Sequence, residues 1–74
     1  MKVRTIQKLR LDKNKTQDEM AKDLSVTKEY ISMLERGERN PSDKLKEKMA
    51  IYFGVSISYI FLAINETKRF IPKK

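Results

Sequence analysis

Lys28, Glu29, Ser32 and Met33 lie in one short segment. Turned at about 100° per residue, Glu29, Ser32 and Met33 fan across one arc of a helix with Lys28 at its exposed leading end, while Ile31 and Leu34 take the opposite side. An ammonium, a carboxylate, a hydroxyl and an apolar thioether are the groups that suit base-pair edges in a major groove, which admits an α-helix. Lys28 can donate to guanine O6 or N7, Glu29 can accept from cytosine N4, the Met33 tip can pack on a thymine methyl, and Ser32 can assist. Two plainer alternatives stand beside this. The face could be simply solvated, with Glu29 complementing the helix dipole in the first turn, or Met33 could fill a core gap, although it points away from Ile31. Catalytic chemistry finds little support. The chain contains neither His nor Cys, which removes the usual general base, the usual zinc ligands and any thiolate. No nucleophile–base pair, metal cluster or phosphate-cradling glycine loop is present, so an enzyme, a cofactor and a small-molecule substrate are not expected.

The elements that must position those residues are legible around them, in the stretch TQDEMAKDLSVTKEYISMLERG from Thr16 to Gly37. Thr16 can cap a helix while Glu19 reaches back to the cap's own amide. Met20, Ala21 and Leu24 then form one buried stripe. Ser25-Val26-Thr27 interrupts it, and Thr27 caps the next helix, which ends where Gly37 can turn left-handed without a side-chain penalty. Two short amphipathic helices joined by a tight turn are the pattern of a helix-turn-helix that reads DNA. Outside it, Val3, Ile6 and Leu9 share one face of a first helix whose other face carries Lys2, Arg4, Lys8 and Arg10, with Asn14 ending it. Asn40-Pro41-Ser42 marks a loop, Ser42 caps a fourth helix burying Leu45, Met49 and Phe53, and Gly54 stops it. A fifth begins near Ser56 or Ser58 and carries Ile60, Phe61 and Ile64. The expectation is an all-α five-helix bundle with helices near 3–13, 17–24, 28–36, 42–53 and 57–64, forming one domain over 1–64, followed by a basic tail, 65–74.

Charge narrows the partner. Seventeen basic against ten acidic residues leave +7 on 74 residues, which suits nucleic acid or another anionic surface. Residues 1–15 hold six basic and one acidic group, whereas 16–35 hold two basic and five acidic. Basic charge therefore flanks the reading helix rather than lying on it, as phosphate clamps around a base-reading element would. A purely electrostatic, sequence-blind DNA coat would be charged differently.

These residues resemble the Cro/CI-type (XRE-like) helix-turn-helix proteins of phage and bacterial repressors. The resemblance covers roughly residues 3 to 62 and is carried by Thr16-Gln17-x-Glu19-Met20-Ala21, Ile31-Ser32-x-Leu34-Glu35-Arg36-Gly37, Asn40-Pro41-Ser42 and Phe53-Gly54-Val55-Ser56. It implies a compact lambda-repressor-like bundle of five helices that binds operator DNA as a twofold dimer. It further implies that Gln17 and Tyr30 anchor helices to phosphates, beside the Thr16 cap, and that Lys28, Glu29 and Met33 occupy base-contacting positions, with Ser32 helping. Arg36, Arg39 and Asn40, just past the reading helix, form a second group of backbone contacts. For Gln17 a solvated helix start, and for Tyr30 a core-edge aromatic, remain open. Arg10 and Glu35 match positions that form a partly buried ion pair bracing helix one against helix three. The chain departs from the family at Ser25, where glycine is usual and a left-handed L-residue costs about 1–2 kcal/mol. It departs also at Asp43, where an apolar residue is common, which puts the anchoring of helix four in doubt.

Seventy-four residues bury only about 60% of their unfolded surface in one domain, so association is a natural supplement. The segment ISYIFLAI is more apolar than one helix face requires. It reads either as a homodimer interface on Ile60, Phe61 and Ile64, extended by Phe70 and Ile71, or as a helix closing the monomer core. The tail NETKRFIPKK could be a disordered end, a strand across a dimer or a DNA-contacting arm. No apolar run approaches the roughly 20 residues of a membrane span and no signal segment opens the chain, so a cytoplasmic protein without a membrane partner is expected. The leading expectation is a homodimeric, sequence-specific regulator, most simply a repressor, bound to an inverted-repeat duplex operator. A protein-interaction module, antitoxin-like or an adaptor, using Phe61 and the tail is the alternative.

Overall fold

Four of the five helices end in the same way. In the computed structural model, which describes residues 4–68, α1 spans Ile6–Asp12, α2 Gln17–Leu24, α3 Lys28–Glu35, α4 Asp43–Phe53 and α5 Ile57–Lys68. After each of the first four, a residue turns left-handed: Asn14 at φ 59°, Ser25 at 62°, Gly37 at 77° and Gly54 at 69°. The amide of the following residue then bonds back to a carbonyl inside the helix, Lys15 to Arg10, Val26 to Ala21, Glu38 to Met33 and Val55 to Ala50. These are Schellman closures, which satisfy carbonyls the helix leaves unpaired. Glycine fills two of the positions without strain. Asparagine and serine fill the others at some cost, Ser25 as the sequence predicts.

The starts are equally local. Thr5, Thr16, Thr27, Ser42 and Ser56 each accept the amide three residues on, and at Thr16 the amide also donates to Glu19 Oε1 at 2.9 Å, completing the expected capping box. Thr5 as a cap moves the start of helix one from the expected residue 3 to Ile6; Lys2 and Val3 lie outside the described residues. Helix four begins at Asp43 behind the predicted Ser42 cap, and Asp43, its side chain 88% exposed, does not need to be apolar because Pro41 and Leu45 are buried on either side.

α2 packs on α3 and α4 on α5, while α1 bridges α3 and α5 and α2 touches α4. Ile6, Leu9, Met20, Leu24, Ile31, Leu34, Leu45, Met49, Ile60 and Ile64 form the core, completed by Ala21, Ala50 and Ala63. Each of the larger side chains contributes about 1.5–3 kcal/mol by leaving water. Phe53, expected in the core, is half-buried at its edge and meets Tyr52 edge-on.

Helix five corrects the expected domain boundary. It continues past residue 64 to Lys68, and buried Thr67 ties it to the other end of the chain: the Ile6 amide donates to Thr67 Oγ1 at 3.0 Å, and that hydroxyl donates to the Ala63 carbonyl at 2.9 Å. Residues 65–67 are therefore part of the domain and not of a tail. Ile60 and Ile64 are also corrected, being buried in the monomer core and so not free to face a partner. Phe61 remains on the surface, together with Leu62, Ile57 and Ile51. Phe70 and Ile71 lie outside the described residues. Among the described residues no single helix is long and apolar enough to cross a membrane.

Candidate nucleic-acid interface

The scaffold beneath α3 is an ion pair with two further hydrogen-bond partners. Arg10 Nε donates to Glu35 Oε2 at 2.5 Å and Arg10 Nη2 to Glu35 Oε1 at 3.1 Å, and the two side chains are 9% and 4% exposed. Arg10 Nη1 also donates to the Lys15 carbonyl at 2.8 Å, and Gln17 Nε2 to Glu35 Oε1 at 2.9 Å. One residue of α1, the loop that follows it, the start of α2 and the end of α3 are thereby fixed to one another. A planar fork on a carboxylate adds directional rigidity to that connection. The Arg10–Glu35 geometry agrees with the brace implied by the family resemblance.

With α3 held in this way, its outward face carries Lys28 and Glu29 exposed and Ser32 and Met33 half-buried, while Ile31 and Leu34 turn inward. Met33 is outside the core cluster. Its plainer role as core filling is thus not the one adopted. At the leading end, Lys28 shares a groove of about 450 Å³ with Asn14, Lys15, Thr16 and Gln17. The starts of α2 and α3 are therefore side by side, which brings Thr16, Gln17 and Lys28 together. Lys15 was not singled out from sequence, and Asn14 only as the end of helix one, although the basic excess of residues 1–15 pointed toward this edge.

The remaining residues stand elsewhere around α3. Tyr30 is half-buried against the core, lining a second groove with Ser25, Ser42, Lys44 and Lys48, and the Arg39 guanidinium carbon lies 5.5 Å from its ring centre. Tyr30 is thus a core-edge aromatic with one side at the surface, and Arg39 is held over it as a cation on a π face. Asn40 is exposed in the loop before α4. Gln17 directs its amide nitrogen inward to Glu35, so a phosphate contact from that nitrogen would compete with the brace. The Thr16 hydroxyl oxygen and amide are both engaged in the capping box.

Arg36, exposed at the end of α3, donates through Nε and Nη2 to Glu38 at 3.0 and 3.1 Å and through Nη1 to Ser32 Oγ at 2.6 Å. The paired carboxylate raises the Arg36 pKa, and the bidentate guanidinium holds the Glu38 carboxyl below its usual range. On the far side of α2, the Tyr52 hydroxyl donates to Asp23 at 2.7 Å and Lys15 Nζ lies 3.3 Å from the same carboxylate, which lowers the Asp23 pKa. Burial and then the Asp23 bond raise the Tyr52 pKa.

Arranged in this way, the surface offers a helix end with mixed donor, acceptor and apolar groups, flanked by cations at both ends. Residues 6–60 match the family model described as helix-turn-helix. The chain is 45% identical over 49 residues, 66% of its length and 74% of the relative's, to an uncharacterised HTH-type transcriptional regulator of Methanocaldococcus jannaschii. It is 44% identical over 61 residues, 82% of its length and 86% of the relative's, to one of Archaeoglobus fulgidus. With a Bacillus subtilis protein of the same description it shares 36% over 64 residues, 85% and 84% of the two chains. No solved structure matches the chain significantly.

Proposed function

We propose that this chain, which belongs to the helix-turn-helix family of DNA-binding transcriptional regulators, reads a specific duplex operator by laying α3 in the major groove, and that it does so as a homodimeric repressor. The observation that carries this reading is the outward face of α3. Lys28 and Glu29 stand exposed at its leading end with Met33 behind them, on a helix whose orientation is fixed by the buried Arg10–Glu35 pair. Lys28 and Glu29 can address guanine and cytosine edges, and Met33 a thymine methyl. Arg39, Asn40 and Tyr30 at one end, and Thr16 and Gln17 at the other, are the phosphate-side candidates, which position the helix but carry no sequence information.

Dimerisation is supported by Ile57, Phe61 and Leu62 on α5, 36%, 42% and 52% exposed, since apolar side chains grouped on one helix mark association sites. Two subunits related by a twofold axis would address half-sites about 34–36 Å apart on an inverted repeat. Occlusion of a promoter is the simplest action for a domain of this size, and a cytoplasmic setting follows from a DNA partner. The protein is a binder and not an enzyme on this reading. The same apolar α5 surface is what an antitoxin-like or adaptor protein would use, which the test separates.

Selection of binding sites from a randomised duplex pool at near-physiological salt, where non-specific attachment weakens, tests the reading. An enriched inverted repeat, lost for Lys28→Ala, Glu29→Ala and Met33→Ala, is the expected result. No enrichment from a folded protein refutes it and favours the interaction module. Sedimentation tests the dimer: Leu62→Lys should shift the wild-type dimer to monomer, and a wild type that is monomeric at high concentration removes that part of the proposal.

A further inference from the structure

We infer that Glu38 is an internal occupant of the Arg36 phosphate clamp, a carboxylate that takes the place of a DNA phosphate in the free protein and so weakens sequence-independent attachment. The inference rests on the DNA-binding reading above and concerns how strongly the flank of α3 grips the backbone. A guanidinium presents a planar fork that fits carboxylate and phosphate alike. In Arg36 both fork positions are taken by the two Glu38 oxygens, at 3.0 and 3.1 Å, and a third nitrogen by Ser32 Oγ at 2.6 Å. A phosphate must therefore displace Glu38 to engage Arg36 in the same bidentate manner.

The placement of Glu38 is dictated by backbone. Gly37 at φ 77° turns the chain back, and the Glu38 amide closes on the Met33 carbonyl at 2.8 Å, which holds the carboxylate beside the last turn of α3. Folding gains little from the pair, since its side chains are 56% and 49% exposed and water screens an ion pair in that setting. Its consequence lies in what Arg36 can bind. Arg39, the next cation along, is instead set over the Tyr30 ring, where it can meet a phosphate without breaking an ion pair. Because phosphate affinity is independent of sequence, withholding one clamp leaves a larger share of the binding free energy to base readout.

The test is a double-mutant cycle, Glu38→Gln, Arg36→Gln and the pair together, read as the affinity and salt dependence of a short fluorescein-labelled duplex of mixed sequence. One full phosphate contact adds about 0.9 to the logarithmic salt slope, which corresponds to roughly eightfold at about 0.1 M salt. Glu38→Gln should tighten binding by about threefold to eightfold and steepen the slope toward that increment. In the Arg36→Gln background the same change should move affinity by less than about twofold, since only unspecific charge removal remains, screened over a Debye length of about 10 Å. Equal tightening with and without Arg36 overturns the inference, because Glu38 then acts as a bare charge. No tightening in either background overturns it too. A wild type that binds no duplex even at low salt removes the DNA-binding reading itself, a result distinct from wild-type binding that Glu38→Gln leaves unchanged.

Discussion

Glu35→Ala removes the acceptor on which three elements converge. Arg10 would keep only the Lys15 carbonyl among its present partners, and the Gln17 amide would lose Glu35 altogether. With the Arg10 side chain 9% exposed, its charge has little water to turn to. Removing one member of a buried pair costs about 3–5 kcal/mol, most of it from the charge left behind. A domain of 74 residues has a total stability of about 4–11 kcal/mol at ordinary per-residue values, so the variant stands near the edge of folding. In melting terms, at about 4–8 °C per kcal/mol for this size, the drop should exceed about 12 °C. Thermal and urea unfolding followed by circular dichroism measure it. Arg10→Met combined with Glu35→Leu serves as the control, since no orphan charge remains, and it should be more stable than Glu35→Ala alone. A Glu35→Ala melting temperature within about 4 °C of wild type, equivalent to no more than about 1 kcal/mol, would refute the reasoning and mean that water reaches Arg10.

Ser25→Gly should be neutral or stabilise by up to about 1 kcal/mol, because it relieves a left-handed serine at φ 62° while adding unfolded-state entropy; a clear loss in urea unfolding would count against the turn described. Thr67→Val should cost about 1–3 kcal/mol by stranding the Ile6 amide, and a chain cut after Ile64 should lose at least as much; unchanged melting in both would return residues 65–67 to a dispensable tail. Tyr52, its pKa raised by burial and by Asp23, favours the neutral phenol in the folded state, so its contribution is present below pH of about 10 and is lost as pH rises above it. Ultraviolet titration should show a late tyrosinate component that vanishes in Tyr52→Phe. Asp23, with its pKa lowered chiefly by the Tyr52 hydrogen bond, contributes in the opposite window: its stabilisation is present above the ordinary carboxylate pKa of about 3.9 and is lost as pH falls below it. Asp23→Asn should flatten the acid limb of the stability curve, and an unaltered limb would mean that other carboxylates set it.

The boundaries of α2, α3 and α4 were legible because their causes are local, whereas the Thr5 cap of α1, equally local, was missed. Thr16, Thr27 and Ser42 act on amides three residues away, and Asn14, Ser25, Gly37 and Gly54 sit at the left-handed turns, so no distant contact is needed to locate them. The faces of α2 and α3 were legible for the same reason, a helical period that separates Ile31 and Leu34 from Lys28, Glu29 and Met33. The Arg10–Glu35 pair joins residues 25 apart, and it came from resemblance to a family, not from any local rule. What the tertiary structure alone decided depends on distance through space. An apolar run such as ISYIFLAI shows that α5 is buried somewhere, yet only packing against α1 and α4 assigns Ile60 and Ile64 to the core and leaves Phe61 and Leu62 outside. Thr67 carries no local signal for its role, since its partner, the Ile6 amide, is 61 residues away. Gln17 is at a helix start that ordinarily faces solvent, and it turns inward because Glu35 has an oxygen there to accept its amide. The sequence by itself determines where this chain turns and which way each helix faces, through short-range hydrogen bonds and periodicity. Which side chains meet, and so which remain on the surface for a partner, is determined when five helices close on one core.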